Sequence, residues 1–295
     1  MLIAVFAKVV TEDLESNLDR IVSFFSDKGA DVIFEEGLAG VLRKDFTSYG
    51  NFAGYFDRFT IKDFPTDMFF SIGGDGTFLN SVFYVKDTDV PILGINSGRL
   101  GFLSGISEIE LDKALAAVAD STYEIEFRPL LELKADGRSF SDFDYALNEV
   151  SVLKTEKSSI IKIRTFVDEE FLTTYWADGL IVASPTGSTA YSLSGGGPIV
   201  TPACRNIILT PVCPHNFSMR PIVLPDSASV RLEVESRSGD FVVGMDSRNF
   251  RVSNISEISV GVARKRVRIV QLQGHSYYET LRSKLMWGED RRNLV

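Results

Sequence analysis

Histidine and cysteine are scarce in this chain, two of each in 295 residues. Cys204 and Cys213 form one possible pair, which builds neither a disulfide framework nor a four-ligand zinc site. They are expected to be reduced thiols, at least one of them buried. His215 and His275 are too few for a histidine-rich metal site. Positive charge is also in deficit. At a net charge of −9 the chain repels the phosphate backbone that a nucleic-acid binder neutralises with lysine and arginine, so nucleic acid is not an expected partner. Long apolar runs are missing too. The opening MLIAVFAKVV is too short to span a bilayer, and the polar TEDLESN after it offers no small-residue cleavage site, so it reads as the first strand of a cytoplasmic protein with no membrane partner. Neither G-x-x-x-x-G-K-[ST] nor G-x-G-x-x-G occurs, which excludes a P-loop and the dinucleotide fingerprint.

What is present is an ordinary globular composition, 44% hydrophobic and 24% charged, which rules out a disordered chain. Its length exceeds one usual domain, so two are expected. The first hundred residues alternate apolar runs with helix-like segments: LIAVFAKV, a helix through Leu14 to Phe25, ADVIFEE, MFFSI, a helix from Phe78, then VPILGI. Such βα alternation predicts a parallel sheet. From about Ser121 the texture turns to strands: YEIEFRPLLELKA, closed by the turn Asp136-Gly137, then IIKIRTFV, GLIVAS, SVRLEVES, GDFVVGMD and RVRIVQLQ. In SYYETLRSKLMWGED, Tyr278, Leu281 and Leu285 share a helical face that should dock on something apolar. The expected organisation is an α/β nucleotide-binding domain over residues 1–104, a β-rich, β-sandwich-like domain over 105–272, and a C-terminal helix over 273–295 returning to the first domain.

MFFSI runs into Gly73-Gly74-Asp75-Gly76-Thr77, and Phe78, Leu79, Val82 and Phe83 follow at helical spacing. In a strand, glycine turn and helix start, the backbone comes close to a ligand and the positive helix end attracts phosphate. Asp75 would repel a bare phosphate, so it suits a sugar hydroxyl or a nucleotide-borne metal ion, and the loop suggests phosphoryl transfer to a hydroxyl. Alone it would be only a tight turn. A second glycine turn, Asn96-Ser97-Gly98-Arg99-Leu100-Gly101-Phe102-Leu103, follows VPILGI at the carboxyl end of a strand, where open α/β sheets bind ligands. Two such loops would form one crevice; glycines packed beside a hinge would look the same.

The segment WADGLIVASPTGSTAYSLSGGGP, Trp176 to Pro198, is dense in hydroxyls and glycines. Ser184, Thr186, Ser188 and Thr189 supply hydroxyls, Gly187 permits unusual backbone geometry, and Tyr191 offers a ring to a base. Gly195, Gly196 and Gly197 open space for a bulky ligand group against backbone. A nucleotide site explains this better than a polar loop capping a helix with Tyr191 in the core. Upstream, Asn148-Glu149 ends an apparent strand; the amide suits a base edge and the carboxylate ribose hydroxyls, although such pairs are usually solvated turns. Arg264, Arg266 and Arg268 fall on one strand face, which reads as a charged edge before a phosphate-donor contact. His215 reads as a loop-stabilising residue, since phosphoryl transfer needs no histidine base.

GGDGT, NSGRLGFL, LNEVSV and DGLIVASPTGSTAYSLSGGGPIVTP, in this order and spacing from about Ser71 to Pro225, resemble the bacterial-type NAD kinase family. GGDGT is shared with phosphofructokinases and with diacylglycerol and sphingosine kinases; the DG to GGGP segment is far more specific. The resemblance implies transfer of the γ-phosphoryl group of ATP, or of polyphosphate, to the 2′-hydroxyl of the adenosine ribose of NAD. It implies a two-domain enzyme with NAD in a cleft and a site shared between subunits of a homodimer or homotetramer. Asp75 then matches the catalytic aspartate, with Gly76 beside it, and Asn148 and Glu149 match the pair that holds NAD. Asp178, Thr186, Thr189, Ala190, Tyr191, Ser192, Leu193 and Ser194 match the dinucleotide segment. Arg248, in GMDSRN, falls near NAD where glutamine is more familiar. Gly73, Gly74, Gly76, Thr77, Gly98 and Arg99 would form the phosphate-donor loop, while Asn80 stands where many members carry a basic residue. The expected metal is Mg²⁺ carried by ATP, with no protein-only site. Positioning and charge neutralisation should supply most of the rate, with Asp75 orienting and deprotonating the hydroxyl. The rivals are a lipid or sugar kinase sharing GGDGT, and a catalytically silent NAD-binding sensor.

Overall fold

The apolar opening run forms β1 (Leu2–Ala7), buried along nearly its whole length as a central parallel strand must be. It heads a β/α series of α1 (Leu14–Asp27), β2 (Asp31–Glu35), α2 (Glu36–Leu42), β3 (Phe52–Phe56), β4 (Met68–Ile72), α3 (Asp75–Tyr84), β5 (Ile92–Ile95) and α4 (Leu111–Ala119). The remaining elements are β6 (Tyr123–Ala135), β7 (Tyr145–Ala146), β8 (Glu149–Lys154), β9 (Ile161–Val167), β10 (Glu170–Ala177), β11 (Gly179–Ala183), α5 (Tyr191–Ser194), β12 (Asn206–Val212), β13 (Ile222–Pro225), β14 (Val230–Ser236), β15 (Asp240–Met245), β16 (Arg248–Ser253), β17 (Glu257–Leu272) and α6 (Tyr277–Leu285). The structure is a computed structural model and describes all residues except 9–13, 43, 87, 99–100, 157–159, 254, 256 and 288–295.

The chain divides into a first unit, Met1–Phe127 with Val267–Val295, and a second, Arg128–Arg266. In the first unit the strands run in the order β3-β2-β1-β4-β5 and then the end of β17, each neighbouring pair parallel. Strand order reverses between β1 and β4, the topological switch point where doubly wound sheets take their ligands beyond the carboxyl ends of the strands. The glycine turn after β4 lies at that end. On α1, Leu14, Leu18, Ile21, Val22 and Phe25 recur at helical spacing and are buried against the sheet. Leu111, Ala114, Leu115 and Val118 of α4 enter the same core, as do Val270 and Leu272. That burial carries the first unit past residue 104 to Phe127.

The second unit is all β apart from short helical turns. One antiparallel sheet runs β13-β12-β11-β8-β15-β16, and β10, β9, β14 and the first part of β17 form another. Val150, Val152, Leu180 and Val243 of the first sheet share a core with Ile163, Tyr175, Val230 and Ile258 of the second, a two-sheet sandwich. Asp136 and Gly137 both have positive φ, 47° and 72°, in the tight turn that closes β6.

Three details differ from expectation. Helix α3 starts at Asp75 rather than Phe78, because Gly74 in extended backbone serves as its N-cap and brings the acidic residue into the first turn. On α6, Leu281 is buried but Tyr278 is exposed; the inward face is Tyr277, Thr280 and Leu281. Both cysteines are exposed, since each follows a strand or lies in a loop outside the sandwich core. Among the described residues no helix is long and apolar enough to cross a membrane.

Candidate active site

In the first unit the two glycine turns are joined by one carboxylate. The N–H of Gly73 donates to Ile95 O at 2.8 Å, extending the β4–β5 pairing into the turn. Asp75 then accepts three successive backbone N–H groups from the second turn: Phe102 on Oδ2 at 2.9 Å, Leu103 on Oδ1 at 2.9 Å and Ser104 on Oδ1 at 3.0 Å. Gly101 must be glycine for this contact, because a Cβ there would stand 1.9 Å from Asp75 Oδ1. Gly74 and Gly76 are exposed, while Gly73 and Thr77 are buried against each other. Asn80 donates from Nδ2 to Gly76 O at 2.6 Å, and Gly98 N–H donates to Asn96 Oδ1 at 2.6 Å. Arg99 lies outside the described residues.

In the second unit, Asn148 and Glu149 do not end a strand: Glu149 opens β8 and Asn148 precedes it. The misplacement has a physical source, since Ala146 and Leu147 are as apolar as the strand proper and hide the break between β7 and β8. Both residues are buried. Ser184 N–H donates to Asn148 O at 2.8 Å, and the 3₁₀ turn Thr186–Thr189 lies so close that a Cβ on Gly187 would stand 2.1 Å from that oxygen. Gly187 is thus required for close approach, and its φ is not positive. Glu149 accepts the backbone N–H of Tyr191, while its Oε2 is buried with no hydrogen-bond partner. Burial first, then the neighbouring Asp246 carboxylate, push the Glu149 carboxyl up to about 8, against a smaller lowering by the Tyr191 N–H. Asp178 pairs with Lys154 Nζ at 2.8 Å, and its backbone N–H donates to Val212 O at 3.0 Å.

The hydroxyl-rich segment is arranged differently from its sequence reading. Ser184 donates to Leu147 O, Ser188 bonds the backbone of Val200 at 3.0 Å and Ser192 pairs with Thr210 at 2.8 Å, all three side chains being fully buried. Buried hydroxyls must be paired internally, so these build the loop. Thr186 accepts from Arg128 Nη1 at 3.2 Å, and Thr189 donates to Thr186 O at 3.3 Å. Within the glycine triplet a Cβ on Gly197 would meet Ser192 Oγ at 2.3 Å and one on Gly195 would meet Thr210 Cγ2 at 2.8 Å, whereas one on Gly196 would meet nothing within 4 Å, so open space remains at the middle glycine alone. Tyr191 is 39% exposed, which excludes a core role, and it starts α5, with Ala190 and Leu193 half-buried and Ser194 exposed nearby. Arg248 donates to the carbonyl oxygens of Phe143, at 2.6 Å, and Tyr145, with its guanidinium 5.0 Å from the Phe143 ring centroid.

Sequence reasoning passed over Asp246, two residues before Arg248. It accepts N–H groups from Leu147 at 2.9 Å, Asn148 at 2.7 Å and Glu149 at 3.2 Å, and its own N–H donates to Glu149 O at 3.0 Å. Of the arginine-rich strand, Arg264 and Arg266 are exposed and Arg268 pairs with Asp89 at 3.0 Å. His215 is exposed, its N–H donating to Trp176 O at 2.8 Å. Among the described residues no three His, Cys, Asp or Glu side chains cluster in a way that would hold a metal ion.

A carboxylate at a helix N-terminus, on a glycine turn at the switch point of a parallel sheet, is an arrangement suited to an α/β enzyme that binds nucleotide phosphates there. Residues 3–123 match the ATP-NAD kinase N-terminal domain and residues 147–272 the ATP-NAD kinase C-terminal domain. The NAD kinase of Cytophaga hutchinsonii is 38% identical over 293 residues, covering 99% of this chain and 100% of the relative. That of Bacteroides fragilis is 45% identical over 236 residues, 80% of this chain and 81% of its own. Among solved structures, yeast NADH kinase complexed with NADH superposes with a TM-score of 0.87 at 25% identity, covering 100% of this chain and 89% of that one. An NAD kinase from Archaeoglobus fulgidus in complex with ATP gives 0.74 at 25% identity, covering 96% and 99%. The chain belongs to the NAD kinase family, whose reaction is the phosphorylation of NAD to NADP. It is a kinase, and the lipid-kinase, sugar-kinase and silent-sensor readings fall away.

Proposed function

We propose that Asp75 acts on the 2′-hydroxyl of the adenosine ribose of NAD, orienting it and taking its proton as phosphate arrives from ATP. The observation that carries this is the fixed carboxylate at the start of α3: three backbone N–H groups occupy three of its roughly four lone-pair positions, which leaves one for a hydroxyl. Its immobility favours orientation as much as basicity. The donor phosphates lie along Gly73, Gly74, Gly76, Thr77, Gly98 and Arg99, where the helix end favours negative charge. Asn148, Glu149, Asp178, Thr186, Thr189, Ala190, Tyr191, Ser192, Leu193 and Ser194 hold the dinucleotide; Ser192 acts through its backbone, its hydroxyl being committed to Thr210. Gly76 adjoins the ribose. Arg248 serves NAD by bracing the Phe143–Tyr145 backbone.

A divalent ion, Mg²⁺, enters with ATP as part of the substrate and neutralises developing charge on the phosphates. The enzyme works in the cytoplasm as a homodimer or homotetramer.

Asp75→Asn tests the central role. The amide keeps Oδ1 for the Leu103 and Ser104 N–H groups and loses the charge. Turnover is expected to fall about a hundred- to ten-thousand-fold with the KM for NAD within about threefold. A kcat within about threefold of wild type overturns the assignment.

A further inference from the structure

We propose that Asp246 is a positioning residue for the dinucleotide: by accepting three successive backbone N–H groups it fixes the Asn148-Glu149 pair in the orientation that binds NAD. The proposal rests on the assignment of that pair to NAD. Asp246 occupies the turn between β15 and β16, with a left-handed φ of 52° that aspartate and asparagine tolerate better than most side chains. Oδ2 takes the N–H of Leu147, Oδ1 those of Asn148 and Glu149, and the Asp246 N–H returns to Glu149 O. The backbone before β8 is thereby held across a sequence distance of nearly a hundred residues: Asp246 takes its N–H groups, while Ser184, just past β11, donates to the carbonyls of Leu147 and Asn148. Gly187 packs closely against the same segment, a Cβ there standing 2.1 Å from Asn148 O. The backbone of the pair is held by both contacts.

Asp246 sets a carboxylate beside buried Glu149, whose Oε2 has no partner among the described residues. Leaving such an atom unpaired is costly unless a ligand completes it. The titratable groups facing Glu149 and its clamp are Asp246 itself, Arg248 on β16, which offsets the Asp246 charge and is itself beside Asp144, and the neutral Tyr191 phenol on α5. Burial pushes the Asp246 carboxyl above its ordinary range, against the lowering by the N–H groups of Leu147, Asn148 and Glu149 and by Arg248, while its own charge raises Glu149. Removing its charge makes Glu149 easier to ionise.

The test compares wild type, Asp246→Asn and Glu149→Gln as full chains, measuring kcat, the KM for NAD and for ATP, and the pH dependence of the KM for NAD. Asparagine tolerates the left-handed backbone and keeps an acceptor for two of the three N–H groups, but it turns an amide donor toward the third. Asp246→Asn is expected to raise the KM for NAD about tenfold, leave that for ATP within about twofold, and move the break in the KM–pH profile from near 8 downward. KM does not depend on the amount of folded enzyme, so a preparation that is partly unfolded still decides. If Glu149→Gln raises the KM for NAD and Asp246→Asn leaves both it and the break unchanged, the positioning role is overturned. If neither substitution moves the KM for NAD, the assignment of the pair to NAD fails and takes this inference with it.

Discussion

Asp75 and Asp246 are placed by the same device, a carboxylate that gathers three consecutive backbone N–H groups, once in each unit. Only one of them was legible. Asp75 stands in a glycine turn directly after a strand, and the misfit of an acid in a phosphate-type loop singles it out. Asp246 sits in a hairpin turn, where aspartate is common, and its partners lie nearly a hundred residues away, so no local pattern reveals it. The serines mislead for a related reason: composition marks Ser184, Ser188 and Ser192 as polar, and only packing shows that their hydroxyls are spent inside the loop. Tyr191, by contrast, is open to solvent. Tyr191→Ala is expected to cost ~1–3 kcal/mol of dinucleotide binding if the ring stacks on a base, a rise in the KM for NAD of roughly five- to 150-fold. Thermal melting should change little at so exposed a position. A lower melting temperature with an unchanged KM would return Tyr191 to a structural role.

Among the elements, β1, β2, β4, β5, β6, β9, β11, β14, β15 and the end of β17 were legible from alternation and apolar runs, whereas β3, β10, β12, β13 and β16 drew no reading; the switch-point placement of the first glycine turn followed once strand order was known. Helix α4 escaped notice although Ser107-Glu108-Ile109-Glu110 carries a capping box, with Glu110 bonded back to Ser107 N–H and hydroxyl at 3.1 and 2.6 Å. The fully exposed Ile109 breaks the hydrophobic period there and blurs the helix start. For the same reason the boundary of the first unit reads too early from sequence. The second glycine turn owes its function to geometry that letters do not carry: Gly101 exists to let Asp75 in. Gly101→Ala should push the carboxylate off its three donors, with kcat falling about tenfold or more and the KM for NAD affected less. Steric overpacking of this kind also costs about 1–3 kcal/mol of stability, read as a lower melting temperature. A destabilised variant with kcat within about twofold of wild type would show that the clamp on Asp75 is dispensable for turnover.

At the scale of the molecule, an acidic chain handles two anionic substrates, so attraction must come from local features rather than net charge. On the proposed assignment, the first unit offers backbone N–H groups and a helix end to phosphates. The second offers buried polar groups, Asn148, Glu149 and Thr186, whose proposed partners are the hydroxyls and amides of a nucleoside. Such a site rejects analogues that leave its polar groups unpaired, by about 10⁴-fold or more, far beyond what an apolar pocket achieves. The most direct test is therefore transfer of labelled phosphate from ATP by the purified chain to NAD, to NAD lacking the adenosine 2′-hydroxyl, to diacylglycerol, to sphingosine and to fructose 6-phosphate. The expected result is label in NAD, recovered as NADP, and none above background in the other four. Label in the 2′-deoxy dinucleotide would contradict the acceptor hydroxyl assigned to Asp75, and faster labelling of a lipid or sugar than of NAD would contradict the assignment of the reaction itself.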